Sequence, residues 1–198
     1  MKDALLNKLR DKLAAIVNTV AKPFIVIGVP PNVLTASSMM ILLIGAFFFA
    51  FTTDILLYLV FITVSSILDA LDGAVARAMG KASRFGAFLD STVDRVNDAI
   101  LILSLGFLRL NQLYILVFLV ASFLVSYIRA RAESLGVGLA GIGLIERPER
   151  ILGVILVLAS YRVSPRLAEA LLSVLTILSV VTVVQRIMQV YRRINAGN

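Results

Sequence analysis

The feature that most constrains the fold is a run from residue 23 to residue 53 that contains no charged side chain. A second uncharged run extends from residue 110 to residue 128. An α-helix needs about 20 apolar residues to cross the hydrocarbon core of a bilayer, where the backbone must satisfy its own hydrogen bonds. Because 60% of the 198 residues are also hydrophobic, we predict an all-α integral membrane protein.

The hydropathy pattern predicts six transmembrane helices, at residues 33–52, 55–79, 85–108, 111–133, 148–162 and 167–190. The first 22 residues alternate Lys and Arg with apolar residues, which is typical of an amphipathic helix in the membrane interface. We therefore expect two parts in the chain. Residues 1–22 form an amphipathic juxtamembrane helix, and residues 23–198 form a single membrane domain.

Positive charges are distributed unevenly around these spans. Fifteen of the 19 Lys and Arg residues lie in the N-terminal segment, the 77–84 connection, residues 129–150 and the C-terminal tail. The positive-inside rule places these segments in the cytoplasm. We therefore expect a protein of the cell membrane with both termini and the active site on the cytoplasmic side. The net charge of +7 suits anionic lipid headgroups or phosphorylated substrates. The basic residues do not form a patch with interleaved aromatic residues, and the sequence therefore gives no indication of nucleic-acid binding.

The chain contains no cysteine and no histidine. Thiol catalysis, disulfides and imidazole bases are therefore excluded, and a metal site must be built from oxygen ligands. Oxygen-only ligation favours Mg²⁺, Mn²⁺ or Ca²⁺ over Zn²⁺ or Cu²⁺.

Four aspartates interrupt the second and third predicted spans: Asp69, Asp72, Asp90 and Asp94. An aspartate at the centre of a membrane helix costs about 2.5–3.5 kcal/mol on insertion scales. Residues three or four apart share a helix face, so the aspartates form one stripe on each helix. The connection at residues 80–86 is short, and the two helices should be antiparallel neighbours. If the stripes face each other, the carboxylates suit two divalent ions roughly 3.5–4 Å apart that clamp phosphoryl oxygens.

The residues alone leave three alternatives open: structural ion pairs, a divalent-cation transporter, and a lipid-binding scaffold without catalysis. Few bases lie near the aspartates, which weighs against simple pairing. The carboxylates cluster at one end of their spans and leave no polar trail across the other half, which weighs against transport. Asp98 continues the second stripe, and we expect it to support the site or to pair with a nearby base.

The complete pattern is Asp69-x-x-Asp72-Gly73-x-x-Ala76-Arg77, eight residues, then Gly86-x-x-x-Asp90-x-x-x-Asp94. It resembles the signature of the CDP-alcohol phosphatidyltransferases, a family of membrane enzymes, and no defined position departs from it. These enzymes transfer a phosphatidyl-type group from a CDP-linked lipid to an alcohol and release CMP. The resemblance covers nearly the whole chain. It implies a CDP-alcohol phosphotransferase that acts in phospholipid biosynthesis as a homodimer.

The resemblance also implies a role for each matching position. The metal ligands would be Asp69, Asp72, Asp90 and Asp94, holding two Mg²⁺ ions or Mn²⁺ in their place. Asp94 would also act as the base on the acceptor hydroxyl. The family's Pro-Asn-x-x-Thr entry to the first span appears at residues 31–35. The contacts with the CDP-linked lipid donor would be Asn32, Thr35, Gly73, Arg77 and Ser83.

Four arginines on the predicted cytoplasmic side suggest an anionic acceptor: Arg129, Arg131, Arg147 and Arg150. A basic pocket suits a phosphorylated polyol better than serine or free inositol, although arginines at span ends also serve as simple membrane anchors. Segments 85–95, 127–133 and 145–150 resemble the inositol-phosphate-using branch of the family. That branch includes the phosphatidylinositol phosphate and archaetidylinositol phosphate synthases. The resemblance implies inositol 1-phosphate as the acceptor, with glycerol 3-phosphate as the alternative.

Overall fold

A computed structural model describes residues 17–195 of the chain, and helices dominate this range. In chain order they are α1 (Val17–Ile27), α2 (Pro31–Thr52), α3 (Ile55–Ala78), α4 (Arg84–Ser104), a 3₁₀-helix (Leu105–Phe107), α5 (Gln112–Ser134), α6 (Arg147–Tyr161) and α7 (Pro165–Asn195). Residues 17–195 contain no β-strand. The predicted all-α fold is confirmed for this part of the chain.

A helix lies at each of the six predicted spans, and four of these helices are long and apolar enough to cross a membrane. These four are α2, α3, α5 and α7. Helix α4 carries several ionisable residues, and α6 has only 15 residues, so these two do not meet the same measure of length and apolarity. The membrane-protein class is therefore supported, whereas the full set of six spans stays a prediction.

The predicted juxtamembrane helix, residues 1–22, lies mostly outside the described residues. Its described end belongs to α1, which continues to Ile27 instead of ending at residue 22. The helix stops because Gly28 adopts a left-handed conformation with φ +79°. The Gly28 N–H then donates to Ile25 O at 3.1 Å and the Val29 N–H donates to Phe24 O at 3.0 Å. This pair of bonds is the Schellman arrangement that ends many helices.

The turn between α3 and α4 uses the same chemistry. Gly80 has φ +63°, and the N–H groups of Gly80 and Lys81 donate to Arg77 O and Ala76 O at 3.2 and 2.9 Å. Helix α4 then begins after Ser83, whose Oγ accepts from the Gly86 N–H at 3.0 Å and caps the helix. Helices α3 and α4 are therefore joined by the short connection that the sequence predicted.

The described chain divides into two compact units. The first unit comprises residues 17–47 and 56–97. Its apolar core joins α1, α2 and α3 through Ala21, Leu34, Leu71, Ala74 and Val75. Helices α2 and α3 also approach closely at Gly45, where a Cβ atom would overlap the side chain of Phe61. Small residues allow this kind of close packing between membrane helices.

The second unit comprises residues 48–55 and 98–195. Within it, α7 packs against both α5 and α6. Gly153 on α6 lies directly against Leu175 on α7, so that a Cβ atom at position 153 would overlap the leucine. The second unit thus holds α5, α6 and α7 together as one bundle.

Candidate active site

Carboxylates from α3 and α4 converge in the first unit. One oxygen from each of Asp69, Asp90 and Asp94 lies within 4.8 Å of the other two, and all three residues are half-buried. Asp69 comes from α3, whereas Asp90 and Asp94 lie one turn apart on α4. The helices meet in this way because the connection at residues 79–83 is tight. We call this group the aspartate cluster.

The aspartate cluster fits a divalent cation. Three negative charges this close together repel one another, and an ion of opposite charge removes that repulsion. The available donors are all carboxylate oxygens, which Mg²⁺ and Mn²⁺ prefer as ligands. The residues present are therefore suited to a hard divalent metal.

The fourth predicted ligand, Asp72, has a different environment. Its side chain is buried, and the Thr35 hydroxyl on α2 donates a hydrogen bond to Asp72 Oδ2. Asp72 lies close enough to Asp69 and Asp90 for electrostatic repulsion between the carboxylates. It is not one of the three residues whose oxygens converge. The structure thus brings together three of the four predicted ligands. The fourth, Asp72, is held by its hydrogen bond from Thr35 on α2.

A cavity of about 190 Å³ opens beside the aspartates in the first unit. Its walls include all five residues predicted to contact the CDP-lipid: Asn32, Thr35, Gly73, Arg77 and Ser83. Asp72 and Asp90 line the same cavity, and so does Lys81, which adds a second cation to that of Arg77. Asp90 therefore belongs to both the aspartate cluster and the cavity wall, and links the two.

Two glycines keep this cavity open. A Cβ atom at Gly86 would lie 3.1 Å from Ser83 Oγ and 3.4 Å from Asn32 Oδ1, and one at Gly73 would lie 3.3 Å from an Arg77 guanidinium nitrogen. The distances to Ser83 and Arg77 are shorter than most contacts of a Cβ atom, and the distance to Asn32 is an ordinary van der Waals contact. Glycine at both positions therefore leaves room for the side chains of Ser83, Asn32 and Arg77, which line the cavity.

One basic side chain near the cluster, Arg95, is not a defined position of the signature. Arg95 follows Asp94 directly, and its guanidinium lies 3.6 Å from Asp94 Oδ2. That separation is too long for a good hydrogen bond but short enough for electrostatic attraction.

The predicted acceptor arginines lie in the second unit, where Asp98 contacts two of them. The buried Asp98 carboxylate accepts from Arg147 Nε at 3.2 Å and from Arg150 at 2.9 Å. Asp98 therefore forms ion pairs with two nearby bases, which is one of the two roles expected for it. The Arg150 side chain is only 4% exposed, whereas that of Arg147 is 23% exposed. Arg147 thus has more room for a ligand than Arg150.

The other two predicted acceptor arginines are on α5 and are more exposed. Arg129 pairs with Glu133, one turn further along the helix, at 2.9 Å. The Arg131 guanidinium lies 3.4 Å from the hydroxyl of Ser134. Exposed pairs of this kind contribute about 0–1 kcal/mol to stability, and a ligand can displace them at little cost.

Arg186, a further arginine of the second unit, is buried, and the sequence analysis assigned it no role. Its guanidinium donates to Val125 O at 2.7 Å, to Ile142 O at 2.9 Å and to Glu146 Oε1 at 3.3 Å. It thereby joins α7 to α5 and to the segment that precedes α6. The sequence signal for such a residue was the position of Arg186 at the end of a long apolar stretch within the predicted span 167–190. Ionisable residues within a predicted span are usually functional or paired.

Sequence comparison identifies relatives over nearly the full chain. Residues 29–187 match the model of the CDP-alcohol phosphatidyltransferase family. The archaetidylinositol phosphate synthase of Pyrococcus horikoshii is 37% identical over 196 residues, which cover 98% of this chain and 100% of that protein.

Two crystal structures of a phosphatidylinositol phosphate synthase from Mycobacterium tuberculosis have similar folds. The structure with CDP-DAG bound has a TM-score of 0.80 and 30% sequence identity, over 89% of this chain and 94% of that chain. The complex with manganese and citrate has a TM-score of 0.79 and 30% identity, over 88% of both chains.

Proposed function

The chain belongs to the CDP-alcohol phosphatidyltransferase family, and from that premise we propose that it transfers a phospholipid group from a CDP-linked lipid to inositol 1-phosphate. CMP is the second product. The protein is a phosphotransferase. The acceptor, the metal requirement and the roles of individual residues are the parts that this proposal adds.

The observation that carries the proposal is that the aspartate cluster and the cavity share a residue and therefore lie side by side. Asp90 contributes to both, and the five predicted donor contacts surround the same space. A nucleotide-linked diphosphate needs cationic groups around its phosphates and a metal beside them. Arg77 and Lys81 supply the cationic side chains, and the aspartate cluster supplies the ligands for the metal.

Asp69, Asp72, Asp90 and Asp94 would hold two Mg²⁺ or Mn²⁺ ions, as the sequence signature implies, and the convergence of oxygens from Asp69, Asp90 and Asp94 supports this set. Bound divalent metal would neutralise the charge of the diphosphate and so favour departure of CMP. The manganese complex of the mycobacterial relative supports this choice of metal.

The chemistry proposed for the protein side chains is a single displacement at phosphorus. The acceptor hydroxyl oxygen attacks the phosphorus that carries the lipid alcohol, and a new P–O bond forms as the bond to CMP breaks. Asp94 takes the proton from the hydroxyl, because an alcohol is too weakly acidic to attack unaided at neutral pH. Arg77 contacts the phosphate oxygens of the donor, since a guanidinium matches their geometry. Asn32 and Ser83 line the same cavity, and we assign them to contacts with the donor.

We assign the phosphate of the acceptor to the arginines of the second unit. Arg131 and Arg147 have exposed surface for a ligand, Arg129 can be released from an exposed pair, and Arg150 supports the group through its buried bond to Asp98. The names of the archaeal and mycobacterial relatives both specify an inositol phosphate product, which favours inositol 1-phosphate over glycerol 3-phosphate.

The same proposal includes the membrane arrangement. Six spans, formed by α2 to α7, place both termini and the aspartates on the cytoplasmic side of the cell membrane, where soluble acceptor and divalent metal are available. The distribution of Lys and Arg supports this orientation. We also propose that two copies of the chain assemble as a homodimer, as the family resemblance implies.

An acceptor panel tests the proposal. The purified chain, reconstituted in lipid, is given ester-linked or ether-linked CDP-lipid with inositol 1-phosphate, glycerol 3-phosphate, serine or free inositol. We expect release of CMP with inositol 1-phosphate, only when Mg²⁺ or Mn²⁺ is added.

Two results would overturn parts of the proposal separately. CMP release with glycerol 3-phosphate alone would exclude the inositol phosphate acceptor and leave the transferase chemistry intact. Metal flux into proteoliposomes without CDP-lipid, together with no CMP release for any acceptor, would instead favour a cation transporter.

A further inference from the structure

A chain of buried polar side chains connects the three helices beneath the aspartate cluster. Asn97 on α4 donates through Nδ2 to the Ser38 hydroxyl on α2, at 3.4 Å. The Ser38 hydroxyl donates to the backbone oxygen of Thr35 at 2.8 Å. Ser65 on α3 donates to the Ser38 backbone oxygen at 2.8 Å. Ser38, Ser65 and Asn97 are all at most 3% exposed.

This chain of hydrogen bonds ends on a predicted metal ligand. Thr35 receives the Ser38 bond on its backbone oxygen, and its own hydroxyl donates to Asp72 Oδ2. The Thr35 hydroxyl also lies 3.3 Å from Pro31 O, but it has a single proton to donate. The carboxylate, which is both closer and charged, is the stronger acceptor.

The positions of the network residues follow the periodicity of the helices. Ser65 precedes Asp69 by four residues on α3, and Asn97 follows Asp94 by three residues on α4. On an α-helix both spacings place the two side chains on one face, a turn apart. Ser65 and Asn97 therefore lie one turn along their helices from the aspartate cluster, and Ser38 joins them through α2.

We propose that Ser38 and Asn97 are positioning residues for the metal site, acting through Thr35 on Asp72. Their hydrogen bonds fix α2 relative to α3 and α4, so that the Thr35 hydroxyl meets one Asp72 oxygen and sets the orientation of the carboxylate. The inference rests on the proposed function, since it concerns the same metal site. Partners that orient a metal ligand typically change metal affinity or activity by about 10–100-fold when they are removed.

A simpler role is also open to these residues, because Ser, Thr and Asn side chains often hold membrane helices together by hydrogen bonds. Ser104 on α4 offers a matched control for that role. It is as buried as Ser38, and its hydroxyl also donates to the carbonyl three residues earlier, Leu101 O, at 2.7 Å. Ser38 differs because its hydroxyl and carbonyl are also joined to Asn97 and Ser65.

The test measures Mn²⁺ binding directly. Mn²⁺ is added to the purified full-length chain in detergent, and the electron paramagnetic resonance signal gives the concentration of Mn²⁺ that stays free. No donor or acceptor is needed. We expect Ser38→Ala to weaken Mn²⁺ binding about 10-fold, whereas Ser104→Ala leaves it unchanged. Both substitutions should lower the thermal unfolding temperature, because each removes one buried hydroxyl, and Ser38→Ala should lower it more because it also removes the acceptor of the Asn97 amide.

A double-substitution cycle tests the route through Thr35. In a Thr35→Val background, Ser38→Ala should cause no further loss of Mn²⁺ affinity, because the side chain that transmits the effect is already absent. Asn97→Leu provides a second, independent removal of the network, and it keeps the inference testable if Ser38→Ala does not fold.

The outcomes separate the inference from the proposed function. If the unsubstituted chain does not bind Mn²⁺, the proposed metal site is wrong. If it binds Mn²⁺ and the folded Ser38→Ala or Asn97→Leu chain binds it equally well, the positioning role is wrong. Equal weakening by Ser38→Ala and Ser104→Ala would likewise assign the network to helix packing alone.

Discussion

The two units of the chain treat buried charge in opposite ways. In the first unit, Asp69, Asp90 and Asp94 lie close together, and Arg95 lies 3.6 Å from Asp94. In the second unit, the buried or half-buried arginines lie beside acids: Arg147 and Arg150 beside Asp98, and Arg186 beside Glu146.

The difference indicates where the protein depends on something from outside. An ion pair that is complete within the chain is satisfied in the folded state, and its arginines are held in place before any ligand arrives. Adjacent carboxylates repel one another, and a divalent cation bound among them lowers that repulsion. We therefore expect the first unit to respond to divalent metal, and the second unit to respond to changes in its own acids.

The largest expected effect concerns the base. Asp94→Asn keeps the size of the side chain but cannot accept the proton from the acceptor hydroxyl, and it weakens a metal ligand. We expect kcat for CMP release to fall at least about 100-fold. The unfolding temperature in detergent is the control for folding. Near-normal turnover by a folded Asp94→Asn chain would exclude Asp94 as the base.

A pair of matching substitutions tests the contrast between the units most directly. Asp98→Asn leaves the buried Arg150 without a counter-charge and should destabilise the chain by about 3–5 kcal/mol. Asp90→Asn relieves repulsion in the aspartate cluster and should leave stability unchanged or increased when divalent metal is absent. The measurement is the free energy of unfolding of each variant relative to the unsubstituted chain, in denaturing detergent without divalent ions. The contrast between the units fails if both substitutions destabilise equally.

Metal should stabilise the folded chain through the first unit. At a free Mg²⁺ or Mn²⁺ concentration about 100 times the dissociation constant, the gain in unfolding free energy should be about 2.7 kcal/mol, because only the folded state holds the site. A chelator should reverse the gain, and Asp69→Asn should remove it. A gain that persists in Asp69→Asn would place the responding metal elsewhere.

The smallest effect is expected at the acceptor arginines. Arg147→Ala should raise KM for inositol 1-phosphate about tenfold and change kcat little, because a hydrogen bond to a charged group is worth about 1.5–3 kcal/mol. Arg166→Ala, which removes an exposed arginine at the start of α7, is the matched control. Steady-state kinetics with saturating CDP-lipid measures both, and an unchanged KM for Arg147→Ala would remove this residue from the acceptor site.

Much of the helical organisation could be read from local patterns. Long uncharged runs predict helices at the positions where α2 and α5 occur, since a lipid-facing backbone has few other ways to pair its polar groups. The aspartate spacing predicted one stripe on each of two adjacent helices, and Asp69, Asp90 and Asp94 do converge. Helix α1 ends at Ile27 because Gly28 adopts a left-handed conformation, which a hydropathy pattern does not reveal.

The sequence by itself determined which chemical groups the protein has available. It places carboxylates at helical spacing within apolar helices and contains no histidine or cysteine. Only the tertiary structure decided how charges and hydroxyls are partnered. Thr35 bonds to Asp72, Asp98 bonds to two arginines, and Arg186 bonds to backbone oxygens far away in the chain. The physical reason is that spacing along a helix specifies which side chains share a face, whereas the partner of a buried polar group depends on which other helix packs against that face.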